Sequence, residues 1–247
     1  MRGADGTWEV VVQGDAMDLD YLARYFTKPP LIVAKSEDTD EFVIRFDGFA
    51  SCSDSKDVLA IAARKLVVLS GMLKLERNAR SPLHAGGVIR RRPDGGRDIF
   101  VSITESVEAR CEVGEVVMSV NDAAGNPLPV PPPRAVRIAE LAASDPEVEL
   151  AMRLLAAPES QKWGGLYRIY EVVGHDVGGQ KVLESRGWTP AGSIGRFKHS
   201  ANSVKVAGDD ARHGKETKDP PSDPMSLDEA RALIDGLLRG WLEAKGV

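Results

Sequence analysis

The sequence predicts an α+β protein: an N-terminal antiparallel or mixed sheet with a long helix, then a mainly helical C-terminal domain. Three observations carry this. Five prolines stand between positions 127 and 133, and they remove backbone donors and fix φ, so neither a helix nor a central strand passes through. Before that stretch, apolar residues alternate in short runs around one long helical stripe; after it, they recur at spacings of three and four. The first half also ends in a run of strands, which favours antiparallel pairing over a doubly wound parallel sheet. The expected organisation is an α+β domain over residues 1–126, a stiff Pro-rich linker at 127–134 and a helical domain over 135–247.

In the first domain, Trp8, Val10 and Val12 alternate with Glu9, Val11 and Gln13 as a strand. A short helix over 18–26 places Leu19, Leu22 and Phe26 on one face and stops before Pro29 and Pro30. Residues 31–35 and 42–46 form a hairpin around an acidic turn. The long helix starts at a Ser53 or Ser55 cap and buries Leu59, Ala62, Leu66, Leu69 and Leu73. A second hairpin pairs 88–92 with 98–103 through Pro93-Asp-Gly-Gly96, and a third pairs 107–112 with 115–120.

In the second domain, Asp145-Pro146-Glu147 reads as a helix start, with an acceptor cap, Pro at the first position and an acid in the first turn. Val148, Met152 and Leu155 form its buried stripe, and Trp163, Leu166, Tyr170 and Val173 form the next. A short helical turn spans 181–184, and Thr189-Pro190 opens a segment carrying Ile194 and Phe197. Ser226-Leu-Asp-Glu229 is a capping box, followed by Leu227, Ala230, Ile234, Leu237 and Trp241 on one helical face.

The formal charge of −5 excludes general coating of nucleic acid or of an anionic membrane. Residues 196–218 differ, with Arg196, Lys198, Lys205, Arg212, Lys215 and Lys218 against Asp209, Asp210 and Glu216, a local +3. Cys52 and Cys111 stand far apart in no metal-ligand spacing, which reads as two buried or partly buried thiols in a reducing compartment, with a disulfide between them as the alternative. No apolar run approaches the ~20 residues that span a bilayer, and no secretory signal opens the chain, so the expectation is a cytoplasmic protein without a membrane segment. No metal site and no cofactor fingerprint is expected.

Two of the four histidines lie in that basic island. Arg196 and His199 fall one turn apart on a helix, Asn202 follows one turn on, and Arg212-His213 returns a second guanidinium and imidazole. Two imidazoles near neutrality can serve as base and acid, so His199 and His213 are the candidate catalytic pair. Arg196, Lys198, Asn202 and Arg212 are the candidate RNA or phosphate ligands, because guanidinium offers fixed paired donors to phosphate oxygens. The competing reading has His199 and Asn202 satisfying backbone groups between helices and Arg212 in a surface ion pair. Two other places offer chemistry. Gly174-His-Asp-Val-Gly-Gly179 lacks the Lys and Ser/Thr of a phosphate loop and reads as a helix stop. Arg90-Arg-Arg92 with Arg97 reads either as a phosphate-backbone cluster or as a solvated strand end.

From position 136 to 245, the order of helices, a polar Arg/Asn/His segment and a capped final helix resembles the HEPN-like domains of bacterial defence and toxin–antitoxin proteins. That resemblance implies a helical bundle, often a homodimer, that cleaves RNA without metal. Arg196 lies three residues before His199 and Arg212 adjoins His213, both closer than the family's hallmark spacing. Two function classes follow. The chain is either directed at single-stranded RNA, as a ribonuclease or an inactive RNA-binding relative acting in defence or stress response, or it is a non-enzymatic interaction or sensor protein whose helical domain dimerises.

Overall fold

The computed structural model describes residues 6–36, 38–101, 132–213, 215 and 219–247. It is α+β, with a six-stranded antiparallel sheet in the first half and helices throughout the second. The strands are β1 (Thr7–Gln13), β2 (Thr27–Lys28), β3 (Leu31–Lys35), β4 (Phe42–Phe46), β5 (His84–Arg91) and β6 (Arg97–Val101), in the order β2-β3-β4-β1-β5-β6. The third expected hairpin, at 107–120, and most of the Pro-rich linker lie outside the described residues, as does Cys111.

β1 is the central strand because its side chains are apolar on both faces. Val10 pairs with Ile44 and Val88, all three buried, and Val11, Val43 and Ile89 form the core of the opposite face. The exception is Glu9, only 1% exposed yet charged. It accepts from Arg45 Nε at 2.7 Å across the sheet and ion-pairs with Arg91 Nε at 2.9 Å. Arg91 continues to Asp38 at 2.9 Å, and Asp38 also receives Arg97 at 3.1 Å, so a chain of charges crosses this face. Two neighbouring guanidinium groups are what make the burial of Glu9 tolerable.

α1 (Ala16–Tyr25) follows β1 and lies against β3; its cap is Asp15, whose carboxylate accepts from the N–H groups of Met17 and Asp18. α2 (Ser55–Arg77) is the expected long helix, but its cap is neither serine: Asp54 Oδ1 accepts from Lys56 and Asp57, both at 2.9 Å. A carboxylate outcompetes a neighbouring hydroxyl there because it also answers the positive helix start.

The second half contains α3 (Arg134–Ser144), α4 (Pro146–Ala156), α5 (Trp163–Asp176), α6 (Gln180–Ser185), α7 (Ser193–Asn202), α8 (Val204–Ala207) and α9 (Leu227–Ala244). α3 has no counterpart in the sequence reading. Its first N–H groups, of Val136 and Arg137, bond to the carbonyl of Pro133, so the end of the proline run starts a helix instead of only preceding one. α5 runs through Gly174 to Asp176, two residues past its expected stop. The capping box of α9 is complete, Ser226 Oγ accepting from Glu229 N–H and the Glu229 carboxylate accepting from Ser226 N–H.

Two compact units emerge: Met1–Leu69 with Ala79–Arg137, and Ser70–Asn78 with Ile138–Val247. The division falls inside α2, whose last two turns belong with the helices. Gly71 explains the fit, since a Cβ there would run into the carbonyl of Met152 on α4. At the other end of this unit Lys245 donates to Asp145 at 2.7 Å and pairs with Asp176 at 3.0 Å, while Asp176 accepts from the Trp241 indole at 2.7 Å. Burial works against that charge, yet the Lys245 hydrogen bond and the N–H groups of Val148 and Glu147 hold Asp145 below the usual carboxylate range.

Candidate nucleic-acid interface

The basic island is built on α7. Gly192 enters it at φ +75°, and Ile194, Phe197, Ser200 and Ala201 turn into the core. That leaves Arg196, His199, Lys198 and Asn202 on the remaining surface of a ten-residue helix.

Arg196 and His199 are brought together, but on a structural task. Arg196 donates Nε to the Asp223 carbonyl at 3.1 Å, Nη1 to Glu229 at 3.0 Å and Nη2 to the Pro224 carbonyl at 3.0 Å, and its Nε ion-pairs with the Asp223 carboxylate at 2.9 Å. His199 Nε2 lies 2.8 Å from the carbonyl of Asp219. A carbonyl has no proton to give, so the ring donates and the proton resides on Nε2. Between them, buried Ser200 accepts from the N–H of Met225 at 2.9 Å. Three residues of α7 thus pin the stretch 219–226 that leads into α9. The Ser226 N–H, then Arg196, holds the Glu229 carboxyl down to about 2.

The other candidates engage different neighbours. Lys198 donates to Gln180 on α6 at 2.6 Å and lies 5.8 Å from the Tyr170 ring. Asn202 donates back to the Lys198 carbonyl at 2.7 Å, within its own helix. Arg212, in a bend, packs its guanidinium 4.4 Å from the Tyr167 ring and donates to Glu171 at 2.8 Å. His213 is exposed.

These placements set what the island can do chemically. Arg196 and Arg212 already hold carboxylates, on separate elements. The nearby aromatic rings pack together, Trp163 and Tyr167 stacked on Phe197 and Tyr170 edge-on to it, and all four are under a tenth exposed, so none of these rings offers a base-stacking platform. Burial, more than the nearby Tyr167 and the carboxylates of Glu184 and Glu171, pushes the Tyr170 phenol up to about 12.

No family model, curated protein or solved structure matches this chain. Its own geometry is therefore the ground for any functional reading.

Elsewhere, Asp176, in the glycine-rich stretch after Gly174, accepts from the Trp241 indole and ion-pairs with Lys245. Of the arginine cluster, Arg91 and Arg97 hold Asp38, Arg92 reaches Asp94 and Asp98 at 3.4 and 3.6 Å, and Arg90 lies over the Trp8 ring at 5.2 Å. Among the described residues, no group of three or more His, Cys, Asp or Glu is placed to hold a metal, and no helix is long and apolar enough to cross a membrane. One pair had no signal in the sequence. Lys74 on α2 donates to the buried Ser160 hydroxyl at 2.8 Å, across 86 positions of chain.

Proposed function

We propose that this protein works by binding a protein partner through the β5–β6 hairpin. The observation that carries this is on β6, where Ile99 is 55% exposed and Phe100 43% exposed, side by side in a strand. Adjacent strand residues point to opposite faces, so both sides of this outer described strand present apolar surface. The cations beside them, Arg92 and Arg97, already hold Asp94, Asp98 and Asp38. What remains there to be recognised is apolar, which suits a protein surface and not a phosphate backbone.

The RNA-directed reading keeps one support: exposed His213 stands beside Arg212 and Lys215 within the +3 segment.

A photo-crosslinking side chain at position 99, introduced in cells that make the protein, distinguishes the two. The expected result is a discrete protein adduct from position 99 that Phe100→Asp abolishes, with none from exposed Lys56. RNA adducts in its place, or salt-sensitive binding of single-stranded RNA that Arg212→Ala weakens, would overturn the protein-partner reading.

A further inference from the structure

The unused chemistry of the helical unit centres on Lys74. It lies half-buried in the last turn of α2 and, among the described residues, has one polar partner, the neutral Ser160 hydroxyl. Its carboxylate neighbour in sequence, Glu76, is engaged by Arg239 at 3.4 Å. Other lysines are served differently: Lys245 has two carboxylates, Lys35 and Lys162 one each, and Lys198 an amide. The carbonyls at the end of α2 favour a cation nearby. That role is taken in part by Arg239, which donates to the carbonyl of Leu75.

We propose that Lys74 is a site of covalent acylation, accepting an acyl group from small thioesters or acyl phosphates. A lysine deprived of a counter-ion and partly removed from water loses the stabilisation of its charge, and the free amine is the nucleophile. Burial does lower its pKa. In the reaction the Nζ lone pair forms a bond to the acyl carbon. The carbon–sulfur or carbon–oxygen bond breaks, and its electron pair leaves as thiolate or phosphate. One amine proton passes through solvent to that leaving group. Ser160 acts as a positioning residue: its oxygen accepts an N–H of the amine and stabilises positive charge as it develops on nitrogen. The amide product keeps one N–H for Ser160 but loses the charge.

The test treats the full chain with acetyl phosphate, and separately with an acetyl thioester of N-acetylcysteamine, over a pH series. Acetylation at each lysine is followed by mass spectrometry of digests. Lys74 should acylate faster than exposed Lys181, by about tenfold for each unit by which it titrates lower. Its rate should level off at a lower pH, and denaturant should erase the difference. Ser160→Ala should slow Lys74 and leave Lys181 unchanged. Labelling of Lys74 no faster than Lys181 in the native protein would overturn the proposal. A Lys74 rate that Ser160→Ala leaves unchanged would overturn the positioning role.

Discussion

Arg196 and Glu229 are joined by a hydrogen bond of 3.0 Å from Nη1 to Oε1, while the other oxygen of the same carboxylate accepts the Ser226 N–H at 2.7 Å. A guanidinium from α7 thereby braces the capping box of α9. Arg196→Met should raise the Glu229 pKa from about 2 toward the ordinary carboxylate value, as measured by NMR titration of its side chain. Because the folded pKa is depressed, this carboxylate stabilises the fold above its unfolded value, and that contribution is lost as pH falls through about 2. In the variant the contribution should be smaller and its loss complete at higher pH. An unchanged Glu229 titration would show the contact to be incidental.

The Asp145–Lys245 pair sets limits at both ends of the pH scale. Asp145 is depressed when folded, so its contribution is present above about 4 and is lost with acid. Lys245 is raised: burial opposes its charge, but Asp145 and Asp176 outweigh that. Its contribution is complete below about 10.4 and is lost as pH rises through the folded value. Asp145→Ala removes a helix cap and a charged hydrogen bond together, and should cost about 2–4 kcal/mol at pH 7 in chemical denaturation. A variant as stable as the parent at neutral pH would refute this.

Glu9→Gln should destabilise by about 3 kcal/mol, because it leaves two arginines beside a group that no longer balances them. Urea titration measures this directly. Asp38→Asn, at the exposed end of the same charge chain, should cost less than about 1 kcal/mol.

Two glycine substitutions should have opposite signs. Gly71→Ala forces a methyl against the Met152 carbonyl, and neither helix backbone can give way cheaply, so a loss of about 1–3 kcal/mol is expected. Gly195→Ala on α7 meets nothing within 4 Å and should gain up to about 1 kcal/mol. A Gly71→Ala variant no less stable than the parent in thermal unfolding would contradict the close approach of α2 and α4.

Trp241→Ala should cost about 3–5 kcal/mol, since the indole is 1% exposed and its N–H serves Asp176.

Elements whose signal is local were legible in the sequence. The capping box of α9 and the cap of α4 each lie within four residues, and β3 and β4 carry their pattern in five residues apiece. α3 was not legible, because the prolines before it signal a connector whether or not their last carbonyl goes on to start a helix. The candidate site was legible as composition but not as chemistry. Arg196 and Arg212 stand close together in the chain, but their carboxylate partners Asp223 and Glu171 lie 27 and 41 positions away in opposite directions. Spacing along one helix shows which side chains share a face, not which distant acid will meet them. Glu9 illustrates the same limit: an apparently solvent-facing acid in an alternating strand became buried because Arg45 and Arg91 flank it on neighbouring strands.

The assignment of Ser70–Asn78 to the helical unit bears on how the gene can be cut. A fragment beginning at Arg134 encodes all the later helices but omits the nine residues that supply Gly71, Met72, Leu73 and Lys74, leaving Ser160 without its amine and the Met152 backbone without the Gly71 contact. The helical unit is therefore discontinuous in sequence and not a portable cassette. To transplant it into another protein, those nine residues must be supplied too, by circular permutation or as a separate peptide.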